Sequence, residues 1–78
     1  MPAALADIRS RFAGKKELRD RNSDRVRTIS QILGWEHRAV NGELNRRSGI
    51  HRITEATADQ LQHRLTCADK WLDELTGV

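Results

Sequence analysis

Arg38, Asn41, Asn45 and Arg46 fall within one short segment, at intervals of three, four and one. Arginine can fork two hydrogen bonds onto a guanine edge, and asparagine can meet adenine through both atoms of its amide. Side chains of these types, a turn apart, are the equipment of a surface that contacts polynucleotide. Two other groupings invite chemistry. His63 and Cys67 stand four apart, a spacing that suits a metal ion or a thiol beside a base. Asp73 and Glu74 put two carboxylates side by side. Neither grouping goes far. No CxxC or HxxxH pair accompanies His63 and Cys67, and His37 and His51 would have to converge on them by folding. Neighbouring acids such as Asp73 and Glu74 point in different directions along a helix. No GxxxxGK[ST] phosphate loop is present. The expectation is a chain without enzyme activity, metal or cofactor.

The elements that would position these residues are helices. There is no run of alternating β-branched residues, and Pro2 is the only proline, so no internal proline breaks a helix. Leu5, Ile8 and Phe12 share one face of a helix over Ala3–Phe12, which Gly14 closes. Lys15–Arg21 is highly charged, either a continuation of that helix or a linker. Asn22, Ser23 and Asp24 are all N-cap types. They open a helix over Arg25–Leu33 with Val26, Ile29 and Leu33 on one side. Gly34 suits the left-handed position that ends a helix. Glu36–Ser48 is the next helix, with Val40 and Leu44 as its apolar stripe and Gly49 as its C-cap. Gly42 inside it costs about 1 kcal/mol relative to alanine, so either a neighbour comes close there or the helix is marginal. Thr54 is the N-cap expected for the last helix, with Ile53 and Ala58 as a hydrophobic staple. Ala58, Leu61, Leu65, Ala68, Leu72 and Leu75 form its long stripe, widened by Trp71. That stripe is read as core, with Trp71 packed inside, and Gly77 ends the helix.

Charge is unevenly placed. The net charge is +3, and arginine supplies 11 of the 14 cations. Eight basic residues lie between Arg9 and Arg27 and four arginines between Arg38 and Arg52, whereas Ile53–Val78 carries five acids against two bases. Arg46, Arg47, Arg52, Arg25, Arg27, Lys15 and Lys16 are the candidates for clamping phosphate; Arg38, Asn41 and Asn45 are those for base edges. The reading requires cations distant in sequence to converge on one surface.

With 78 residues and three aromatic side chains, Phe12, Trp35 and Trp71, the chain has room for one small core. A single cysteine, Cys67, excludes an internal disulfide and fits a reducing, cytoplasmic compartment. No run of about 18 apolar residues is present, so no membrane span is expected. The charge at Asp7 does not fit the layout of a signal peptide.

Val26–Asn45 resembles a helix-turn-helix. Ser30 is the small residue inside the first helix, Gly34 the turn, and Val40 the branched apolar residue of the second helix. Small inner residues let two helices approach closely. The motif's last apolar position falls on Glu43, with Leu44 one residue later. The longer stretch Asp24–Leu75 is similar to the helical C-terminal extension of some actinobacterial and phage DEAD/DEAH-type helicases. The residues that carry this are Leu33-Gly34, Val40-Asn41, Leu44-Asn45-Arg46, Gly49, Ile53 to Thr57, Gln60-Leu61 and Trp71-Leu72. The resemblance implies an accessory domain beside a DNA motor.

The expectation is therefore an all-α fold, a small bundle of three to four helices. A helix-turn-helix-like pair packs on a long C-terminal helix. Residues 1–23 form a basic N-terminal helix or linker and residues 24–78 the helical domain. The expected partner is nucleic acid, DNA rather than RNA, with a helicase or other protein meeting the C-terminal helix. The alternative is a helical protein-interaction module that binds no nucleic acid.

Overall fold

The computed structural model describes the backbone of residues 2–77 and the side chains of residues 14–77. Three α-helices follow one another: α1 over Pro2–Leu33, α2 over His37–Ser48 and α3 over Ala58–Thr76. A single 3-10 turn over Ile53–Glu55 lies between α2 and α3. The described residues contain no strand. Both α1 and α2 pack on α3, as the stripe on the last helix required.

The first helix differs from expectation. It runs unbroken through Gly14, through Asn22–Asp24 and across the expected boundary between residues 23 and 24. A glycine in a helix costs about 1 kcal/mol, too little to stop one flanked by good helix formers. The Glu17–Arg21 pair, one turn apart at 2.7 Å, bridges the charged stretch. Asn22 does not cap a helix because its side chain is used elsewhere. Its Nδ2 donates to the carbonyls of Leu18 (2.8 Å) and Leu61 (3.1 Å), and the residue is fully buried. The side chains of Leu5, Ile8 and Phe12 lie outside the described residues.

Three helix ends follow the expectation from glycine, and Gly77 closes α3 at φ 74°. Gly34 and Gly49 both take positive φ, 70° and 73°. After Gly49 the Ile50 N–H reaches back to the Asn45 carbonyl (3.1 Å), and Ile50 is buried, the pattern of a Schellman ending. Ser30 Oγ donates to the Trp35 carbonyl across the α1–α2 turn. The small residue at this position thus clasps the turn as well as leaving room for it.

The cap of α3 is Thr57, not Thr54. The Thr57 hydroxyl accepts from the Gln60 N–H (3.1 Å), and the Gln60 side chain accepts from the Thr57 N–H (2.8 Å). This reciprocal box satisfies two otherwise orphaned donors. Thr54 is drawn instead into the 3-10 turn. The apolar pair in the staple positions becomes Ala56 and Leu61, both buried in one cluster, with Ile53 packed against it.

Among the described residues the core has two clusters. Val26, Ile29, Val40, Leu44, Ala68 and Trp71 form the larger one, with Leu33, Leu72 and Leu75 at its margin. Ile50, Ala56 and Leu61 form the smaller, joined by Leu18 and Ile53. Trp71 is a core residue, and the Trp35 ring meets it edge-on with centroids 5.9 Å apart.

Candidate nucleic-acid interface

The two sides of α2 do different work. Val40 and Leu44 are fully buried. Asn41 and Asn45 flank them and turn toward α3. Their side-chain oxygens accept from the guanidinium of Arg64, Asn45 from Nε and Asn41 from an Nη, each at 2.9 Å. The other Nη of Arg64 donates to Asn22 Oδ1, also at 2.9 Å. Arg64 is 1% exposed, so a charged side chain lies in the interior held by three neutral amides from two other helices. Burial pushes its pKa below the usual arginine value, yet a guanidinium stays charged in proteins. Along α1 and α3 this knot separates the two apolar clusters.

The knot revises the reading of Asn41 and Asn45. Recognition of adenine uses both the oxygen and the nitrogen of the amide. Arginine can only donate, so each asparagine must turn its oxygen toward Arg64. In this arrangement neither amide is free for a two-bond base contact.

The outer side of α2 carries Arg38, Gly42 and Arg46 at i, i+4 and i+8, all exposed, on the side away from Val40 and Leu44. A β-carbon at Gly42 would meet nothing within 4 Å. Close approach of a neighbouring helix is therefore not the reason for this glycine; it borders open space. Below it lies a cleft of about 490 Å³ lined by Gly42, Asn45, Arg46, Gly49, Ile50 and His51. A smaller cleft of about 190 Å³ continues past the shared Gly49, Ile50 and His51 toward Arg52, Glu55 and Gln60.

The remaining cations sort by their partners. Arg25 bonds Asp69 at 2.7 Å and so ties α1 to α3. Arg27 lies 3.8 Å from Asp24. Arg47 reaches Glu43 (3.2 Å) and Glu74 (3.3 Å) while its guanidinium lies 4.4 Å from the Trp71 ring centroid. It is 31% exposed and braces α2 against α3. Arg46 forks onto Glu43, and Arg52 reaches Glu55 at 3.4 Å, but these two side chains are 72% and 73% exposed. The Arg52–Glu55 pair is exposed on both sides, and such pairs contribute only about 0–1 kcal/mol, so an incoming phosphate can replace that carboxylate; Glu43 is only 23% exposed and holds Arg46 more firmly. Lys15, Lys16 and Arg38 are exposed and make no ion pair among the described residues. The cations expected to converge thus divide: Arg25 and Arg47 brace the bundle, and Arg38, Arg46 and Arg52 line the outer side of α2 and the connection after it. Lys15 and Lys16 sit on α1.

Glu43 occupies the position that a helix-turn-helix gives to an apolar residue, and here it organises charge. The hydrogen bond from Arg46 pulls its carboxyl down to about 2; partial burial opposes this, and Arg47 adds to the lowering. The same pairing raises Arg46.

His63 Nε2 and Cys67 Sγ are 3.7 Å apart on α3; His63 is exposed, and Cys67 is half-buried at the margin of the core beside α2. No group of three or more His, Cys, Asp or Glu among the described residues is arranged to hold a metal ion. No described helix is long and apolar enough to cross a membrane.

Comparison with protein-family models, curated proteins and solved structures gives no match for this chain.

Arg64 and Asn22 are the residues that sequence reasoning passed over. A signal existed for Arg64. It follows Leu61 by three and precedes Ala68 by four, so it lies on the apolar stripe, where a charge demands partners. Asn22 carried no such mark, since an asparagine beside Ser23 and Asp24 has the composition of a cap.

Proposed function

We propose that this chain is a non-enzymatic nucleic-acid-binding domain that grips the phosphate backbone rather than reading bases. The observation that supports this is the outer side of α2. Arg38 and Arg46 flank Gly42 there, and His51 and Arg52 extend the row around an open cleft. Phosphate contacts supply affinity without sequence information. The engagement of Asn41 and Asn45 with Arg64 argues against the base-reading version of the function. We carry over from the resemblance read in Asp24–Leu75 the proposal that the domain works beside a DNA-processing enzyme, with DNA as the polymer, inside the cell.

The test is a fluorescence-anisotropy titration of duplex and single-stranded DNA at two salt concentrations. Contacts by Arg38, Arg46, Arg52 and one or both of Lys15 and Lys16 predict a log–log salt slope of about −3.6 to −4.5 on duplex DNA and about −2.8 to −3.5 on single strands. Scrambling the sequence leaves affinity unchanged. Arg38→Gln lowers the slope by about 1 without loss of helix by circular dichroism. Absence of binding at low salt overturns the proposal.

A second reading, a protein-interaction module, rests on one observation. Ile32 and Trp35 are 46% and 44% exposed beside the α1–α2 turn, with Trp35 set against Trp71. Large aromatic side chains of this kind anchor protein interfaces. Failure to bind DNA, with a partner lost on Trp35→Ala, would favour it.

A further inference from the structure

We infer that the cleft bounded by Gly42, Asn45, Arg46, Gly49 and His51 is a phosphate-binding site whose positive potential comes in part from the buried Arg64 behind it. This deepens the nucleic-acid reading and rests on it for the source of the phosphate. Three observations carry the inference.

The first is uncompensated charge. All three guanidinium nitrogens of Arg64 meet amide oxygens, and among the described residues no carboxylate pairs with it. A unit charge in the interior with neutral partners projects its field outward, because little water is near to screen it.

The second is orientation. Asn45 belongs both to the Arg64 knot and to the cleft wall. Its oxygen accepts from the arginine, which leaves Nδ2 as the group that can donate to a ligand on the cleft side. A hydrogen bond from a cation polarises the amide and makes the Nδ2 hydrogens better donors. Asn45 relays the buried charge to the cleft.

The third is the lining. Arg46 and His51 supply further donors, and no acid among the described residues lines the larger cleft. Glu43 is the competitor, since it holds Arg46 from one turn away. Gly42 leaves the approach open. At about 490 Å³ the cleft falls within the roughly 300–1,000 Å³ range of small-ligand sites, enough for a phosphate with its attached sugar.

The experiment uses the full chain labelled for NMR. Inorganic phosphate and, separately, a short oligothymidylate are titrated while the amides of Gly49, Ile50 and His51 and the Asn45 side-chain amide are followed. Saturable shifts confined to this group are expected with both probes. Asn45→Asp is the decisive variant. It keeps the shape of the side chain and gives Arg64 a counter-charge, so the melting temperature holds or rises, while phosphate affinity falls about tenfold or more. A purely structural Asn45 would lose stability and binding together. Glu43→Gln frees Arg46 and strengthens phosphate binding by about threefold. Scattered, non-saturating shifts with phosphate overturn the site, as does unchanged affinity in Asn45→Asp. Oligothymidylate binding without shifts in the cleft overturns the site and leaves the nucleic-acid reading standing. Phosphate binding in the cleft without oligonucleotide binding by any probe leaves the site, as one for small phosphates, and removes the nucleic-acid reading.

Discussion

Asn22→Ala should cost this protein much of its stability, although the residue touches no proposed ligand. The reasoning starts from what Asn22 holds. Its Nδ2 donates to the carbonyls of Leu18 and Leu61. Both carbonyls lie inside helices and already accept from the helical ladder, so losing those bonds leaves no orphan. The oxygen is different. It is the partner of one Arg64 Nη in a fully buried setting. Removing it leaves a cationic donor unpaired, a cost of about 3 kcal/mol. Alanine recovers about 0.6 kcal/mol through better helix propensity. The net loss is about 2–3 kcal/mol, against a total of about 5 kcal/mol for a domain this small. Urea unfolding followed by far-UV circular dichroism reads it directly, as a midpoint at about half the parent value with unchanged slope. A double-mutant cycle with Arg64→Met separates this account from simple loss of volume. If the orphaned guanidinium carries the cost, the two changes couple by about 1–2 kcal/mol, and the double variant is more stable than the sum of the singles implies. A loss under about 0.5 kcal/mol, or strict additivity, would refute the idea that the amides are what make a buried Arg64 tolerable.

Acid should weaken the fold through Glu43. Its carboxyl is held near 2 in the folded chain against an ordinary value of 4.5. The contribution is therefore whole above about pH 5 and is lost as pH falls toward 2; melting temperatures across that window should drop less in Glu43→Gln than in the parent. The two glycines of the α2 region should respond with opposite signs. Gly42→Ala stabilises by about 0.5–1 kcal/mol because its φ is helical and the added carbon meets nothing. Gly49→Ala costs about 1–2 kcal/mol because φ is 73° there; urea midpoints moving in the same direction would contradict this. Trp71→Ala should cost about 3–5 kcal/mol, the price of an emptied core site. Trp35→Ala, which gives up mainly an edge-to-face contact, should cost about 0.5–1.5 kcal/mol by the same assay.

Some features were legible from residue order alone. The absence of strand patterns and the spacing of Leu61, Leu65, Ala68 and Trp71 determined a helical bundle built on the last helix, because a stripe of that period has to be buried. Gly34, Gly49 and Gly77 marked three helix ends, since only glycine takes positive φ at little cost. Other signals misled because they are local and their competitors are not. Gly14 and the Asn22–Asp24 cluster read as boundaries, but a helix tolerates one glycine, and Asn22 finds distant partners on α3. Thr54 and Thr57 are the same residue type three apart; the glutamine three residues after Thr57 was the discriminating sign, and it was present in the sequence.

The split between bracing and exposed cations belonged to the tertiary structure. Nothing in residue order says that Arg25 meets Asp69 across 44 positions, or that Arg47 lies on Trp71 while Arg46 faces outward. The pairing of charges depends on which helix faces which, and that is set by apolar packing, which is indifferent to the charges it brings together. Asn41 and Asn45 show the same thing most plainly. Their spacing on one helix was readable, but whether they turned toward a base or toward Arg64 was decided by the helix that packed beside them.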